Sequence, residues 1–248
     1  MTTTIGSAFD SWWQLLAIWH GTADVEDAQM YAALRAQSPG PAVELGIGDG
    51  RLASLVRPEY SVDLSTIMLA KCRERMGEET PLLLQENFTS FQLPEAVQFT
   101  YSPLNTLNHV PADEREAVFR NVFEQTQPGG RFVFDSRVVS DERLRAANRV
   151  PSLGSRTREH VIYQTASVLD WTTMHMQLDA SIEYLDEQGR VREKRYFEPM
   201  PFWNGHPEQF RTVAERTGWV VEDVWGDFRQ GAFTASSKIQ VWMRNRPV

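Results

Sequence analysis

The feature that most constrains the fold is the run Val43-Glu44-Leu45-Gly46-Ile47-Gly48-Asp49-Gly50, a strand-like segment passing directly into a turn with glycine at alternate positions. Residues without Cβ atoms take backbone angles closed to others and let a ligand approach the main chain. A helix opening just past such a turn offers unpaired N–H groups to an anionic or polar group. In an open parallel sheet this places a ligand at the carboxyl ends of the strands, beside the first one.

The surrounding chain alternates short apolar runs with helical stretches, the rhythm of βαβ units. Strands are expected at Ala42–Leu45, Tyr60–Val62, Leu82–Gln85, Val97–Tyr101 and Arg131–Asp135, with helices ending near Val56 and spanning Ser65–Met76 and Pro111–Gln125. Upstream, Phe9, Trp12, Trp13, Leu16 and Trp19 recur at three- and four-residue spacing and mark one apolar helical face. Gly21 interrupts that pattern, and Asp24 is placed to cap a second helix running to about Leu34. After Val139 the rhythm changes to β-like alternation between Thr157 and Phe202, with Met176, Leu178, Ala180, Ile182 and Tyr184 on one face. Asp186-Glu187-Gln188-Gly189 reads as a hairpin turn inside it. A helix over Pro207–Thr217 and strands over Trp219–Val224 and Ser237–Met243 close the chain. The expectation is one α/β domain over 1–248, with a helical lid over 1–38 and an antiparallel insert over about 140–204.

Composition narrows the partners. A formal net charge of −8 with no run of basic residues argues against nucleic acid, since an acidic surface forgoes counterion release. No stretch reaches the roughly 18 apolar residues of a membrane span, and the first residues carry no basic region of a signal peptide. The single cysteine, Cys72, fits a reducing compartment and a buried helix position. A cytoplasmic protein, monomeric or homodimeric, is expected.

Asp63, which ends the second strand thirteen residues after Gly50, adds chemistry to the turn. A carboxylate there accepts the hydroxyls of a ribose, though an aspartate at that point also serves as a helix cap. The third glycine follows the second by two residues, not three, which speaks against a dinucleotide-binding dehydrogenase.

Three ordered segments carry a resemblance to the class I S-adenosylmethionine-dependent methyltransferases. Glu44–Gly50 matches their acidic-x-Gly-x-Gly-x-Gly turn. Val62-Asp63-Leu64-Ser65-Thr66-Ile67-Met68-Leu69-Ala70 is similar to the end of their second strand and the helix that follows. Thr126-Gln127-Pro128-Gly129-Gly130 resembles the segment before their fifth strand, with threonine in place of leucine. The resemblance implies a Rossmann-like seven-stranded methyltransferase sheet with N-terminal helices and an antiparallel β insert as lid. It implies S-adenosylmethionine as cofactor and S-adenosylhomocysteine as product. By the same resemblance Glu44, Gly46 and Gly48 lie near the methionine moiety, Asp63 on the ribose, and Leu64 and Met68 along the adenine. Where the family often has an aspartate against the adenine amino group, this chain has Asn87, followed by Phe88. The segment from Ser102 to His109 is expected at the methyl-donor end.

The N-terminal and insert layout resembles small-molecule N-methyltransferases acting on amino sugars and on nitrogen heterocycles such as the azapteridine toxoflavin. The expected acceptor is a small, planar, nitrogen-containing molecule of specialised metabolism. O-methylation, amino-sugar methylation and cofactor binding without turnover are the alternatives. Trp12, Trp13, Trp19, Trp171, Trp203 and Trp225 are candidate aromatic walls, with Trp13, Trp19 and Trp203 assigned to the acceptor. His109 is the candidate base, ahead of His20 and His206, and no metal is expected.

Overall fold

A computed structural model describes residues 5–20, 26–138, 152–158, 161–170 and 173–248. Gly21 and Asp24, expected between the first two helices, and Trp171 lie outside the described residues, as do the side chains of Trp19 and His20.

Two helices, α1 (Ile5–His20) and α2 (Glu26–Ala36), precede β1 (Ala42–Leu45), α3 (Ala53–Val56), β2 (Tyr60–Val62), α4 (Thr66–Met76) and β3 (Leu82–Leu84). Next come β4 (Val97–Ser102), a 3-10 turn at Thr106–His109, α5 (Arg115–Gln125) and β5 (Thr126–Arg137). The insert holds β6 (Ser152–Arg158), β7 (Val161–Asp170), β8 (His175–Leu185), β9 (Val191–Tyr196) and β10 (Met200–Trp203). The chain ends with α6 (Pro207–Arg216), β11 (Val220–Trp225) and β12 (Ile239–Asn245).

The main sheet has seven strands in the order β11-β12-β5-β4-β1-β2-β3. The five strands from β3 to β5 run parallel, and β12 is antiparallel to both of its neighbours. Strand order reverses between β1 and β4, so the carboxyl ends of these two strands open a crevice. The two-residue period of β5 sends Phe132 and Phe134 to one face, where Phe119, Phe210, Trp219 and Trp242 cover them, and Val133 to the other. On that other face Tyr31 and Leu34 of α2 pack on Phe99, Tyr101 and Val133. Each such buried side chain stabilises the fold by about 1.5–3 kcal/mol relative to exposure.

The insert is a second sheet: β6, β7, β8 and β10 pair in sequence, and β9 lies beside β10 along the same edge of β8. The expected hairpin is present, closed by Gly189 N–H donating to the Asp186 carbonyl at 2.9 Å. Its apolar face, with Ala180, Ile182, Phe197 and Met200, packs against Ala8, Trp12 and Leu15 of α1.

Two details depart from the sequence reading. The fifth strand starts at Thr126, not Arg131: Val97 stands opposite Thr126 and Phe99 opposite Arg131, so Pro128-Gly129-Gly130 forms a bulge within the strand. Trp225, read as part of the lid, is buried beneath α2 in the core of the main sheet.

Candidate functional site

The turn after β1 is built by three glycines in the left-handed region, with φ of +78° at Gly46, +54° at Gly48 and +81° at Gly50. Their reasons differ. A Cβ on Gly46 would lie 2.4 Å from Thr106 Cγ2, and one on Gly50 would lie 2.9 Å from Cys72 Sγ. Both close approaches pack protein against protein. A Cβ on Gly48 would meet nothing within 4 Å, so there the backbone itself faces open space.

Asp63 ties this turn to the next helix. Its Oδ2 accepts from Gly48 N–H at 2.9 Å and its Oδ1 from Ser65 N–H at 2.9 Å. Each oxygen keeps capacity for a further donor. Burial raises the Asp63 carboxyl above the ordinary aspartate value, while those backbone N–H groups pull it back down. The cap of α4 is Ser65, whose Oγ accepts from Met68 N–H at 3.0 Å and donates to Asp10 Oδ1 at 2.6 Å. The same Asp10 oxygen accepts from Ile67 N–H at 3.0 Å, fastening α1 across the start of α4.

Glu44 is buried on β1 and accepts from the Tyr101 hydroxyl at 2.7 Å. Burial pushes its carboxyl up to about 8, with the Tyr101 bond and nearby Arg51 only partly opposing that rise. Arg51 is itself ion-paired to Asp27 of α2.

A cavity of about 390 Å³ runs along the carboxyl ends of the strands, within the size range of small-molecule sites. Glu44, Gly46, Gly48, Asp63, Leu64, Met68, Asn87, Phe88 and His109 all line it, bringing together nine positions singled out in the sequence. Phe9, Asn105, Thr106, Glu114, Arg137 and Phe202 line it too. Phe9 and the segment Ser102–His109 carried a sequence signal, whereas nothing in the local sequence marks Glu114, Arg137 or Phe202.

Other expected residues lie elsewhere. Ser102 is buried and donates to the Leu45 carbonyl at 3.3 Å, bracing β4 on β1 instead of lining the cavity. Trp13 lines a smaller neighbouring opening between α1 and α4, with Lys71 Nζ 5.0 Å above its ring. Trp203 packs on His175 at 5.1 Å, and its carbonyl accepts from Arg115. Asn87 lines the cavity, but its Oδ1 already accepts from Thr89 N–H at 2.9 Å. His206 is the cap residue of α6, its backbone N–H donating to Gln209 Oε1 at 3.0 Å.

His109 lines the same cavity. Its Nδ1 lies 3.0 Å from the Pro201 carbonyl, which only accepts, so Nδ1 carries the proton and Nε2 the lone pair. Phe9 meets the ring edge-on at 4.8 Å and Phe202 lies 4.2 Å away. Desolvation by these neighbours lowers the imidazole to about 4, the Pro201 bond opposing it, so the ring is neutral at pH 7. Among the described residues, no cluster of three His, Cys, Asp or Glu is placed to hold a metal ion. No described helix is long and apolar enough to cross a membrane.

The donor set suits a nucleoside with an amino-acid tail: a carboxylate with open lone pairs, a buried acid and apolar walls from Leu64, Met68 and Phe88. Comparison with known proteins agrees. Residues 42–130 match the family described as "Methyltransferase domain". A curated relative, carboxy-S-adenosyl-L-methionine synthase of Chromohalobacter salexigens, is 28% identical over 164 residues, covering 62% of this chain. The chain spans about 59% of that relative's length. The CcbJ methyltransferase of Streptomyces caelestis is 21% identical, with a TM-score of 0.83 over 99% of this chain and 100% of that one. CalS10, an amino pentose methyltransferase of Micromonospora echinaspora, is 16% identical, with a TM-score of 0.68 over 94% of this chain and 96% of that one. Residues 42–130 thus match a methyltransferase domain, and the chain as a whole shares the Rossmann-like fold of these solved methyltransferases.

Proposed function

We propose that this protein methylates a nitrogen atom of a small acceptor, taking the methyl group from S-adenosylmethionine. One observation carries the reading: a single cavity is lined both by the glycine turn with Asp63 and by a neutral, anchored His109. Asp63 would hold the ribose hydroxyls, Glu44 the amino group, and Leu64, Met68 and Phe88 the adenine. When bound, the cofactor supplies an electrophilic methyl group on a sulfonium.

The remaining chemistry falls to the chain's own residues. Displacement at a sulfonium methyl needs orientation and exclusion of water more than acid–base help. Phe9 and Phe202, closing around His109, supply dry walls and flat surfaces for a ring. His109 Nε2 is the atom available to take the proton that the acceptor nitrogen sheds. With its conjugate acid held to about 4, it stays in the basic form throughout the physiological range.

A planar nitrogen heterocycle fits these aromatic walls. An amino sugar is the second reading, favoured by Asn105, Glu114 and Arg137 on the cavity wall and by the likeness to CalS10. The deciding test offers the purified protein S-adenosylmethionine with a panel of nitrogen heterocycles, amino sugars and catechols, and follows S-adenosylhomocysteine formation. Turnover of amines, with the methyl group found on nitrogen, is expected. Turnover of hydroxyl acceptors or proteins alone overturns N-methylation. Binding of S-adenosylhomocysteine without turnover of any compound points to a binding protein.

A further inference from the structure

Asp135, at the end of β5, has no place in the chemistry above, yet three donors converge on its buried carboxylate. Oδ1 accepts from the Tyr31 hydroxyl at 2.8 Å and from Leu104 N–H at 2.9 Å, and Oδ2 accepts from Asn105 N–H at 2.8 Å. The two N–H groups belong to consecutive residues that both adopt left-handed backbone, with φ of +55° at Leu104 and +59° at Asn105. Such angles are costly for residues with side chains, and for leucine more than for asparagine. A conformation of this kind persists where surrounding contacts hold it. A tight pair of N–H groups aimed at one carboxylate is such a contact, because charged hydrogen bonds are the stronger ones.

The bend forms part of the cavity wall. Leu104 and Asn105 line the cavity, and Thr106, the next residue, closes against Gly46 of the glycine turn. The turn Thr106–His109 follows directly, so the bend also sets where His109 begins its approach to Pro201. We infer that Asp135 is a positioning residue for methyl transfer: it holds the Leu104–Asn105 bend and thereby the wall against which the acceptor is aligned. This rests on reading the cavity as a methyl-transfer site.

The test separates the two. Hydrogen exchange is measured on wild type and Asp135→Asn, each saturated with S-adenosylhomocysteine, and needs no acceptor. Exchange in peptides spanning 103–106 should quicken at least about tenfold in the variant, while β4 and β5 keep their protection. Binding of S-adenosylhomocysteine, by calorimetry, should stay within about threefold of wild type. With each amine that turns over at saturating S-adenosylmethionine, kcat/KM should fall about 10- to 100-fold, mainly through KM. Leu104→Gly introduced into Asp135→Asn should recover part of that loss, because glycine takes the left-handed angles without a clamp.

Unchanged exchange at 103–106, or kcat/KM within twofold of wild type, overturns the inference. So does a matching loss of protection across β4 and β5, which makes Asp135 a residue of the fold alone. If Asp135→Asn does not fold, Tyr31→Phe decides, since it removes one donor and leaves both loop bonds. The acceptor KM should then stay within about twofold, and a tenfold rise places the role with Tyr31 instead. If wild type turns over no amine, the proposed function falls, and the exchange measurement still judges the clamp.

Discussion

Glu44 is a buried acid whose carboxyl is held up to about 8 by desolvation, which nearby Arg51 only partly offsets. An ammonium group beside it favours the charged form, so cofactor binding near pH 7 should release a proton. Affinity for S-adenosylhomocysteine should rise with pH until Glu44 is ionised in the free protein, above about 8. Calorimetry in buffers of different ionisation enthalpy measures the proton directly, and Glu44→Gln should abolish it. The linked stability runs the opposite way. A carboxyl raised by folding contributes stability that is present below the unfolded value and lost as pH climbs through the folded one. The ligand-free protein should therefore lose stability between about 4.5 and about 8, and Glu44→Gln should flatten that slope. Asp63→Ala should weaken cofactor binding by about 1.5–3 kcal/mol, the range for hydrogen bonds to a charged group. It should also lower the melting temperature, because the variant strands the N–H groups of Gly48 and Ser65. Equal affinity in a folded Asp63→Ala protein would remove Asp63 from the site. His109→Ala should lower the methylation rate by at most ~10²–10⁴-fold, the span open to a general base.

At the scale of elements, one contact that ties the N-terminal helix to the cavity is the docking of α1 on α4. Asp10 adds a second acceptor at a helix start already capped by Ser65. Loss of a capping carboxylate costs about 0.5–2 kcal/mol. Asp10→Ala should therefore speed release of S-adenosylhomocysteine several-fold while leaving the main sheet's exchange unchanged, and stopped-flow displacement measures this. Unaltered release would mean that α1 does not restrain the cofactor. The parallel strands, the glycine turn and Asp63 were legible in the sequence because each rests on local pattern and neighbours close in the chain. The bulge at Pro128-Gly129-Gly130 was not, since it depends on how Thr126 registers with Val97. Nor were Phe202 and Asp135, whose roles come from contacts between segments far apart in the chain. The tryptophans show the same limit. Bulk and spacing mark a buried face without saying which body it faces: Trp12 lies under the insert, Trp225 under α2, and Trp13 beside Lys71.

The whole molecule is two apolar bodies meeting over one cleft. Its main sheet is filled on both faces, whereas α1 and the insert share a separate cluster of Ala8, Trp12, Leu15, Ala180, Ile182, Phe197 and Met200. That cluster makes α1 and the insert one unit, because opening either exposes the other's apolar face. The unit borders the cleft through Asp10 on the cap of α4, and through Phe9, Pro201 and Phe202 around His109. Under the proposed function, a body placed there would act as a lid and close over both ligands. Hydrogen exchange should therefore slow in α1 and in β8 and β10 together, modestly with S-adenosylhomocysteine alone and further when an acceptor is added. The change should be shared by the two segments and smaller in β1, β4 and β5, whose amides the main sheet already protects. Protection that appears in the insert without α1, or in neither segment while the glycine turn responds, would show that the two do not close as a unit. The acceptor would then be held by the strand-end loops alone.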